Sequence, residues 1–421
     1  MVAGRHRRLP AGWWRCQPTV PGRHRRLAAV FRLYDTRLRA VADIRTVRQG
    51  ELRMSVCGPT MNGYAHVGSM RTAMLTDLIR RNAERHGLSV VVCQTIAAVG
   101  HLDSDETSTH RYAEANRADS AALNIQPPDY SPRISESVEL TIEMIAKLLA
   151  SGHAYVAASG SVYFDSRTVS DDGALSGIRP DQLEPGHRPE GERAEQKRFH
   201  ADWVLWTSAP PEPALTWAAP WGTGFPGGHA DCSAVSLEFL GDRIDIHTGN
   251  VDLIFPSHEQ ERAQSDALAG HEVVQHWVHG EQALFDGRTM ASSTGNVVLV
   301  SDIAGHGLDP LAARLAFLER RYRESMNLTW ETLTTAGETA RHWRELVADW
   351  ADEPSKPMSA EYWSRITAAF DDDLDTPAAL SVLRELAQDE QIPAGAKFET
   401  FASADRVLGL DLVSLVGRRF R

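Results

Sequence analysis

Residues 57–69 read Cys-Gly-Pro-Thr-Met-Asn-Gly-Tyr-Ala-His-Val-Gly-Ser, a turn-rich loop that leads through a His-x-Gly into a helical pattern. The segment at residues 54–57 is short and apolar, as expected for a parallel strand. From His66 to His86 apolar side chains recur every three or four residues, and Gly87 follows as a stop signal. The sequence therefore predicts a strand, a turn and a helix, the unit from which doubly wound parallel sheets are built.

The predicted turn is suited to hold a phosphate. A helix N-terminus carries unpaired N–H donors and about half a positive charge, so it attracts anions. Gly63 and Gly68 have no Cβ, which lets the backbone approach a ligand closely. Many α/β folds carry the same pattern and bind nothing there, so the turn alone is compatible with a phosphate site or with a purely structural connection.

Four further motifs follow in the chain. They occupy residues 225–233 (Phe-Pro-Gly-Gly-His-Ala-Asp-Cys-Ser), 245–253 (Asp-Ile-His-Thr-Gly-Asn-Val-Asp-Leu), 258–261 (His-Glu-Gln-Glu) and 290–296 (Met-Ala-Ser-Ser-Thr-Gly-Asn). Together the five motifs resemble those of the class I cysteinyl-tRNA synthetases, in which the first corresponds to HIGH and the last to KMSKS. The resemblance runs from about residue 31 to residue 412 and implies a class I catalytic domain. The same unit is similar to the cysteine ligase of mycothiol biosynthesis, which joins cysteine to an amino sugar.

The composition favours a soluble enzyme. The chain has 421 residues, 42% of them hydrophobic, which is enough to bury one large core and a smaller one. It contains no run of eighteen apolar residues, so we expect no membrane span. Four cysteines in this length do not make a disulfide framework, and Cys93 lies in an apolar strand-like segment, where we expect a structural role. We therefore expect a cytoplasmic protein in a reducing compartment.

The first thirty residues differ in character from the rest. They hold seven arginines and no acidic residue, and Gly-Arg-His-Arg-Arg-Leu occurs twice, at 4–9 and 22–27. Such a segment is either a basic arm for RNA or a disordered extension, and it lacks the apolar stretch of a secretory signal. Beyond residue 30 the chain carries 37 basic and 56 acidic residues, and this balance of −19 disfavours tight binding of a polyanion.

The pattern along the chain predicts two folded units after the extension at residues 1–30. Strands and helices alternate from about residue 51 to residue 270, within a class I catalytic domain expected at residues 31–325, with a Pro-, Gly- and charge-rich insertion at about residues 158–230. Residues 326–421 form a predicted helical bundle, in which Thr329 caps one helix and Thr376-Pro377 begins another. The sequence ends at Arg421, soon after residue 412, where cysteinyl synthetases continue into an anticodon-binding domain and the mycothiol ligase does not, so we expect no such domain.

The resemblance implies that the first and last motifs bind ATP with Mg2+, and that a carboxylate attacks its α-phosphate to form an aminoacyl adenylate. Charge then builds up on the phosphoryl oxygens, and donors placed beside them supply most of the catalysis. His66 and Ser69 match positions that contact phosphate, although a His or Asn is usual where Ser69 stands. The residues implied to line ATP or the adenylate are Thr60, His66, Gly68, Asp245, Gly249, Asp252, Met290 and Ser293.

The last motif departs from the family in its charges. Where the family has Lys-Met-Ser-Lys-Ser, residues 289–293 read Thr-Met-Ala-Ser-Ser. Removing one positioned donor from a developing oxyanion costs about 3 to 4 kcal/mol, so we expect slow adenylation. Arg288 lies one position early and can reach inward, and Ser293 retains a hydrogen-bonding group. The expected catalytic residues are therefore His66, Ser69, Arg288 and Ser293.

The resemblance also implies a zinc ion held by two cysteines, a histidine and a glutamate, which recognises cysteine through its thiolate. Cys57, Cys232 and Glu261 match three of these positions, but the histidine position is occupied by Ser257. The neighbouring His258 can take its place, which completes a tetrahedral set. Alternatively, two cysteines and a glutamate bind zinc weakly or not at all.

The amino-acid pocket is changed at one further position. The family's Gly-Trp-His is Gly227-Gly228-His229 in this chain, so a bulky aromatic wall is missing. Loss of an indole is expected to open a large volume beside Gly228 and His229. Together with Ser257, this change predicts an amino acid other than cysteine, or a relaxed choice.

We therefore predict an ATP-dependent ligase that activates cysteine or a relative of it as the adenylate. The acceptor is expected to be an unidentified amine or hydroxyl rather than tRNA, because of the acidic balance and the missing anticodon domain. Two alternatives stay open: a true cysteine–tRNA ligase, and a weakened relative that binds a nucleotide or a partner protein and regulates. Exchange of pyrophosphate into ATP separates the ligases from the binding protein, and charging of a tRNA transcript separates the two ligases.

Overall fold

The protein is described here by a computed structural model that covers residues 30–58, 63–96, 106–183, 196–209, 215–291 and 295–418. The basic extension predicted at residues 1–30 lies outside the described residues except for Val30. Among the described helices, none is long and apolar enough to cross a membrane.

Strands dominate the first half of this part of the chain and helices dominate the last quarter. The strands are β1 (Phe31–Asp35), β2 (Ala40–Ile44), β3 (Glu51–Val56), β4 (Ser89–Gln94), β5 (Ala154–Val156), β6 (Val162–Phe164), β7 (Trp203–Ser208), β8 (Gly224–Pro226), β9 (Ile244–Asn250), β10 (Val274–Gly280), β11 (Ala283–Phe285), β12 (Arg288–Thr289) and β13 (Met326–Leu328). The α-helices are α1 (Val67–Arg85), α2 (Glu106–Ala122), α3 (Val138–Ala150), α4 (Ala230–Leu240), α5 (Glu259–Ala269), α6 (Val300–Gly305), α7 (Leu311–Leu318), α8 (Trp330–Ala351), α9 (Ala360–Asp371), α10 (Thr376–Gln388) and α11 (Ala394–Leu408).

A parallel sheet of four strands, in the order β10-β9-β3-β4, organises the catalytic region. All three neighbouring pairs are parallel, and the chain adds β4 on one side of β3 and β9 and β10 on the other. This is the doubly wound arrangement that the sequence predicted. In such sheets ligands bind beyond the carboxyl ends of the strands, at the point where the strand order reverses. That point is the boundary between β3 and β9.

The predicted helix after the first motif is confirmed. Helix α1 runs over Val67–Arg85, with His66 as its N-cap and His86 as its C-cap. Its apolar face, which includes Met74 and Leu78, is buried in the main core. The face is long enough to anchor the helix on the sheet, so the N-terminus stays fixed beside the end of β3.

A second, antiparallel sheet with the order β5-β6-β7-β8 covers much of the predicted insertion. Trp203, Leu205 and Trp206 on β7 are fully buried. They belong to a core that also contains Val235 of α4 and Trp277 of β10. The antiparallel sheet therefore supports the loop that enters α4 from one side.

The N-cap of α8 is the residue that the sequence predicted, whereas the N-cap of α10 is a different one. Thr329 caps α8, and its hydroxyl accepts a hydrogen bond from the amide of Thr332, as predicted. At α10 the prediction of Thr376 as the cap is wrong, because Asp375 accepts the amide of Ala378 at 3.2 Å. The hydroxyl of Thr376 instead donates to the carbonyl of Leu318 at 2.8 Å.

The C-terminal helices share the main hydrophobic core with the parallel sheet. Arg314 on α7, which is fully buried, joins the two regions. Its guanidinium donates to the carbonyl of Leu408 at 2.5 Å and to the carboxylate of Asp77 at 2.6 Å. A buried Asp–Arg pair that also satisfies main-chain carbonyls is costly to break from one side, so it fixes α1 against the helical region.

Candidate active site

His66 lies where the sequence predicted a phosphate contact, at the N-terminus of α1. Its Nδ1 accepts a hydrogen bond from the amide of Ser69 at 3.2 Å. Burial lowers the pKa of His66, so the ring is neutral near pH 7. With Nδ1 acting as acceptor, the neutral ring carries its proton on Nε2. The cap therefore offers an N–H donor at the positive end of the helix dipole, a combination that suits a phosphate oxygen.

Ser69 has a different environment from the one its predicted role requires. Its hydroxyl donates to the carbonyl of His66 at 2.6 Å. This bond closes the first turn of α1. The Ser69 side chain therefore helps to fix His66, and its proton is not directed at a ligand in this arrangement.

The structure brings the first and last motifs together at Gly68. A Cβ built on Gly68 would lie 2.7 Å from the terminal methyl group of Met290 and 3.3 Å from the carbonyl oxygen of Ala283. The amide of Val67 also donates to the carbonyl of Val298 at 2.8 Å. A larger residue at position 68 would displace the Met290 side chain, so Gly68 lets the first and last motifs lie in direct contact.

Asn296 holds the ends of the last motif in place. Its side-chain amide donates to the carbonyl oxygens of Phe285, Arg288 and Thr289 at 3.1 to 3.2 Å. Arg288 itself is exposed on β12. Two residues predicted to contact ATP, Thr60 and Ser293, lie outside the described residues.

The three predicted ribose and adenylate contacts from the 245–253 motif have different positions. Asp245 is buried near the start of β9, and its carboxylate accepts the amides of Val47 at 2.6 Å and Arg53 at 2.7 Å. Since both oxygens are engaged at the end of the strand opposite the site, Asp245 braces β3 and does not face a ribose. Gly249 and Asp252 do lie at or after the carboxyl end of β9, and Asp252 is exposed and hydrogen-bonded to Gln282.

A cluster of metal-binding groups follows the end of β3. One ligand atom each from Cys57, His229, Cys232 and Glu261 lies within 4.8 Å of every other. The thiol of Cys57 donates to Glu261 Oε1 at 2.8 Å, and His229 Nδ1 lies 3.4 Å from the same oxygen. Cys57 follows β3, Cys232 lies on α4 and Glu261 on α5, so three separate elements converge here.

A second group overlaps the first. Cys57 and Glu261 also lie within 4.8 Å of nitrogen atoms of His247 and His258. The predicted set of Cys57, Cys232, Glu261 and His258 is therefore not the one that converges in the described residues. Cys232 is grouped with His229, whereas His258 is grouped with His247. Ser257 is buried and belongs to neither group.

The pKa directions in the first cluster reflect the crowding of acidic groups. The hydrogen bond with Cys232, burial and the charge of Glu261 raise the pKa of Cys57 well above its ordinary value. Burial alone lowers the pKa of His229, but Cys232 and Glu261 outweigh it and raise that pKa well above its ordinary value. The raised pKa values mean that Cys57 and His229 keep their protons while no cation is bound beside Glu261. A divalent metal ion that binds these groups would displace those protons.

The sequence predictions named His258 but missed its buried neighbours His247 and His279. His258 Nδ1 is hydrogen-bonded to His279 Nε2 at 2.8 Å, and His279 Nδ1 to the hydroxyl of Thr36 at 2.7 Å. Burial lowers the pKa of His247 and His258, and it lowers that of His279 to about 3. All three rings are therefore neutral. His247 lies within the 245–253 motif, which is the signal that could have identified it.

The expectation of an opened pocket at Gly228 is wrong for this backbone. Gly228 has a φ of +56°, and a Cβ at that position would lie 2.3 Å from the carbonyl oxygen of Val204 and 2.8 Å from Trp203. Strand β7 therefore occupies the space directly beside Gly228. An indole cannot be added there without moving β7.

The first cluster fits a zinc ion. Two thiols, an imidazole and a carboxylate are the ligand types that zinc prefers, and their mutual spacing requires only a small contraction for bonds of about 2.0 to 2.3 Å. A zinc ion at this place would supply a soft Lewis acid for a thiolate. Cys57, His229, Cys232 and Glu261 are the residues that would hold it.

A known protein family and individual proteins resemble this chain in sequence. The family described as tRNA synthetases class I (C) catalytic domain matches residues 43–338. A cysteine–tRNA ligase of Salinibacter ruber is 36% identical over 400 residues, covering 83% of this chain and 77% of that protein. A cysteine–tRNA ligase of Thermus thermophilus is 35% identical over 420 residues, covering 92% and 86%.

Solved structures resemble this chain in fold. Methionyl-tRNA synthetase of Mycobacterium tuberculosis bound by methionyl-adenylate aligns with a TM-score of 0.57 and 16% identity, covering 86% of this chain and 90% of that one. LeuRS of Agrobacterium radiobacter, in a ternary complex with tRNA and LeuAMS, aligns with a TM-score of 0.64 and 9% identity, covering 90% and 86%. At these identities the likeness concerns the class I synthetase fold alone.

Proposed function

The chain belongs to the class I tRNA synthetase family of the cysteine–tRNA ligases, and from this premise we propose that it uses ATP to activate a thiol-bearing amino acid as its adenylate. The observation that carries the proposal is the pair of sites that follow β3. Cys57 begins the metal-binding cluster, and His66, nine residues later, begins the phosphate-binding helix. The end of β3 thus positions Cys57, in the cluster proposed to bind the substrate thiol through a metal, and His66, which is proposed to bind a phosphate.

The proposed reaction is an in-line displacement at the α-phosphorus of ATP. A carboxylate oxygen of the amino acid forms a bond to phosphorus, the bond to the bridging oxygen breaks, and pyrophosphate leaves with Mg2+. The His66 Nε2–H and the positive end of the α1 dipole stabilise the charge that develops on the phosphoryl oxygens. Gly68 and Met290 keep the last motif against this helix end.

The rate of this step is proposed to be low. The two lysines of the family's last motif are Thr289 and Ser292 in this chain. Each lost donor removes about 3 to 4 kcal/mol of transition-state stabilisation unless another group replaces it. Arg288, one position before the motif, carries a positive charge, and its side chain begins from the exposed strand β12.

The acceptor defines two versions of the proposal. The acidic balance of −19 beyond residue 30 favours a small amine or hydroxyl over a polyanion. The relatives named cysteine–tRNA ligase favour a cysteine tRNA. Both versions require the adenylate, so the first experiment concerns activation and the second concerns transfer.

Activation is tested by exchange of labelled pyrophosphate into ATP with each amino acid in turn. We expect exchange that depends on cysteine or on a close thiol analogue and is absent with serine. Exchange with no amino acid, together with measurable ATP binding, would instead support the regulatory binding protein. An uncharged transcript of the cysteine tRNA is then added. Charging of the transcript supports the tRNA version, and exchange without charging supports a smaller acceptor.

A further inference from the structure

We infer that His229 has replaced the family's histidine ligand in this chain, so that a metal ion is held by Cys57, His229, Cys232 and Glu261. The inference deepens the proposed function, since this metal would bind the substrate thiol. It concerns a histidine from the loop before α4, in place of one from the loop before α5 where Ser257 now stands. The ligand types stay the same while their source in the fold changes.

The spacing of the ligand atoms supports this set. All four lie within 4.8 Å of one another, and His229 Nδ1 is 3.4 Å from Glu261 Oε1. In a tetrahedral zinc site with bonds of about 2.0 to 2.3 Å, neighbouring ligand atoms are roughly 3.3 to 3.8 Å apart. The distance between His229 Nδ1 and Glu261 Oε1 is therefore that expected for two ligands of one zinc ion.

The backbone before α4 directs His229 into the cluster. Gly228 and His229 both have positive φ, +56° and +53°, and a histidine adopts such a conformation only when its surroundings hold it there. The side-chain amide of Gln264 donates to the carbonyl of Gly228 at 2.7 Å, and the amide of Gly227 donates to the carbonyl of Leu205 at 3.0 Å. The turn is thus pinned from α5 and from β7.

His258 is less able to complete the site, because its ring is already held on the other side. Its Nδ1 is bonded to His279, which is bonded in turn to Thr36. Its Nε2 has no hydrogen-bond partner, but the ring edge lies against Gly249, where an added Cβ would meet Cε1 at 2.4 Å. Turning the ring toward Cys232 would break the bond to His279 and lose this packing.

The test measures metal on the intact chain. Purified protein is loaded with Zn2+, dialysed and analysed by plasma mass spectrometry, and a parallel sample is loaded with Co2+ for its thiolate charge-transfer absorption. The variants are His229→Ala, His258→Ala and His229→Cys, with His271→Ala as the control, since His271 contacts Ala269 and Asp242 and belongs to neither metal-binding group. Circular dichroism checks that each variant is folded.

We expect the parent, His258→Ala and His271→Ala to retain about one zinc per chain, while His229→Ala binds zinc at least about tenfold more weakly. His229→Cys should retain the metal and strengthen the thiolate–cobalt absorption, because it adds a third sulfur ligand. Loss of zinc in His258→Ala with retention in His229→Ala would overturn the inference, and so would a parent that binds no zinc. A parent that binds zinc through His229 but shows no amino-acid-dependent exchange leaves this inference standing and refutes the proposed function.

Discussion

The proposed metal side of the site (Cys57, His229, Cys232 and Glu261) and its proposed phosphate side (His66 and the last motif) both depart from the family pattern, with different consequences. On the metal side the four residues still converge although Ser257 occupies the family's histidine position. On the phosphate side, both lysines of the last motif are replaced, and Arg288 lies one position before the motif.

The difference follows from burial. The metal side is crowded, with Cys232 and Glu261 buried and further imidazoles within a few ångströms, so a lost ligand can be replaced by a neighbour. The proposed phosphate side depends on a charge near β12, where Arg288 and Thr289 are exposed. Exposed residues have fewer packed neighbours than buried ones, so a lost charge is replaced less easily there. Metal binding should therefore be retained more fully than the rate of adenylation.

The largest effect is expected when a proposed metal ligand is removed. Cys232→Ala removes a thiolate from the cluster, and we expect zinc to be lost and cysteine-dependent pyrophosphate exchange to fall by about 100-fold or more. Cys93→Ala is the matched control, because Cys93 is equally buried on β4 but belongs to neither metal-binding group. If Cys232→Ala keeps both zinc and exchange, the metal side has no role in activation.

Restoring a lysine should strengthen the phosphate side. Thr289→Lys returns the first cation of the last motif, and we expect the rate of exchange at saturating ATP to rise by about 100-fold. The control is Thr289→Gln, which has a long polar side chain without the charge. A rate that rises equally in both variants, or in neither, would show that the missing charge does not limit adenylation.

A third prediction compares two glycines with similar positive φ angles, one on each side. Gly228 and Gly295 have φ of +56° and +64°, but an added Cβ at Gly228 would meet the Val204 carbonyl at 2.3 Å, while at Gly295 it would have no atom of the described residues within 4 Å. Gly295→Ala should cost about 1 kcal/mol of unfolding free energy from the backbone alone. Gly228→Ala should cost a further 1 to 3 kcal/mol or so from overpacking. Equal losses in urea denaturation would mean that β7 does not close over the metal side.

The sequence predicted the local elements better than the contacts between them. Helix α1 and its cap at His66 follow from a periodic apolar pattern and a stop signal, which are local properties. The cap of α10 could not be chosen in the same way, because Asp375 and Thr376 are both good caps. The choice is made by the bond from Thr376 to Leu318, a residue far away in the chain.

The same limit applies to the candidate site. Cys57, Cys232 and Glu261 were predicted from their motifs, but the exchange of His258 for His229 depends on two successive positive φ angles that no sequence pattern announces. Asp245 was expected at a ribose because it belongs to a motif, yet it lies at the opposite end of β9 and binds two main-chain amides. Belonging to a motif does not by itself place a residue at the ligand. Its position along the strand decides whether it lies at the carboxyl end, where ligands bind, or at the opposite end.

The smallest expected effect concerns His66, and it separates the helix cap that this residue forms from its proposed phosphate contact. His66→Ala removes the Nε2–H donor and the cap on the Ser69 amide, so ATP affinity should fall by about tenfold and stability by about 1 kcal/mol. His66→Asp keeps a cap acceptor and suits the helix dipole, so it should preserve stability, but its negative charge repels the phosphates and should weaken ATP binding further. Calorimetry with ATP and thermal unfolding of the two variants measure both effects. If His66→Ala binds ATP as tightly as the parent does, the end of α1 is a structural cap, and the phosphate side must be sought elsewhere.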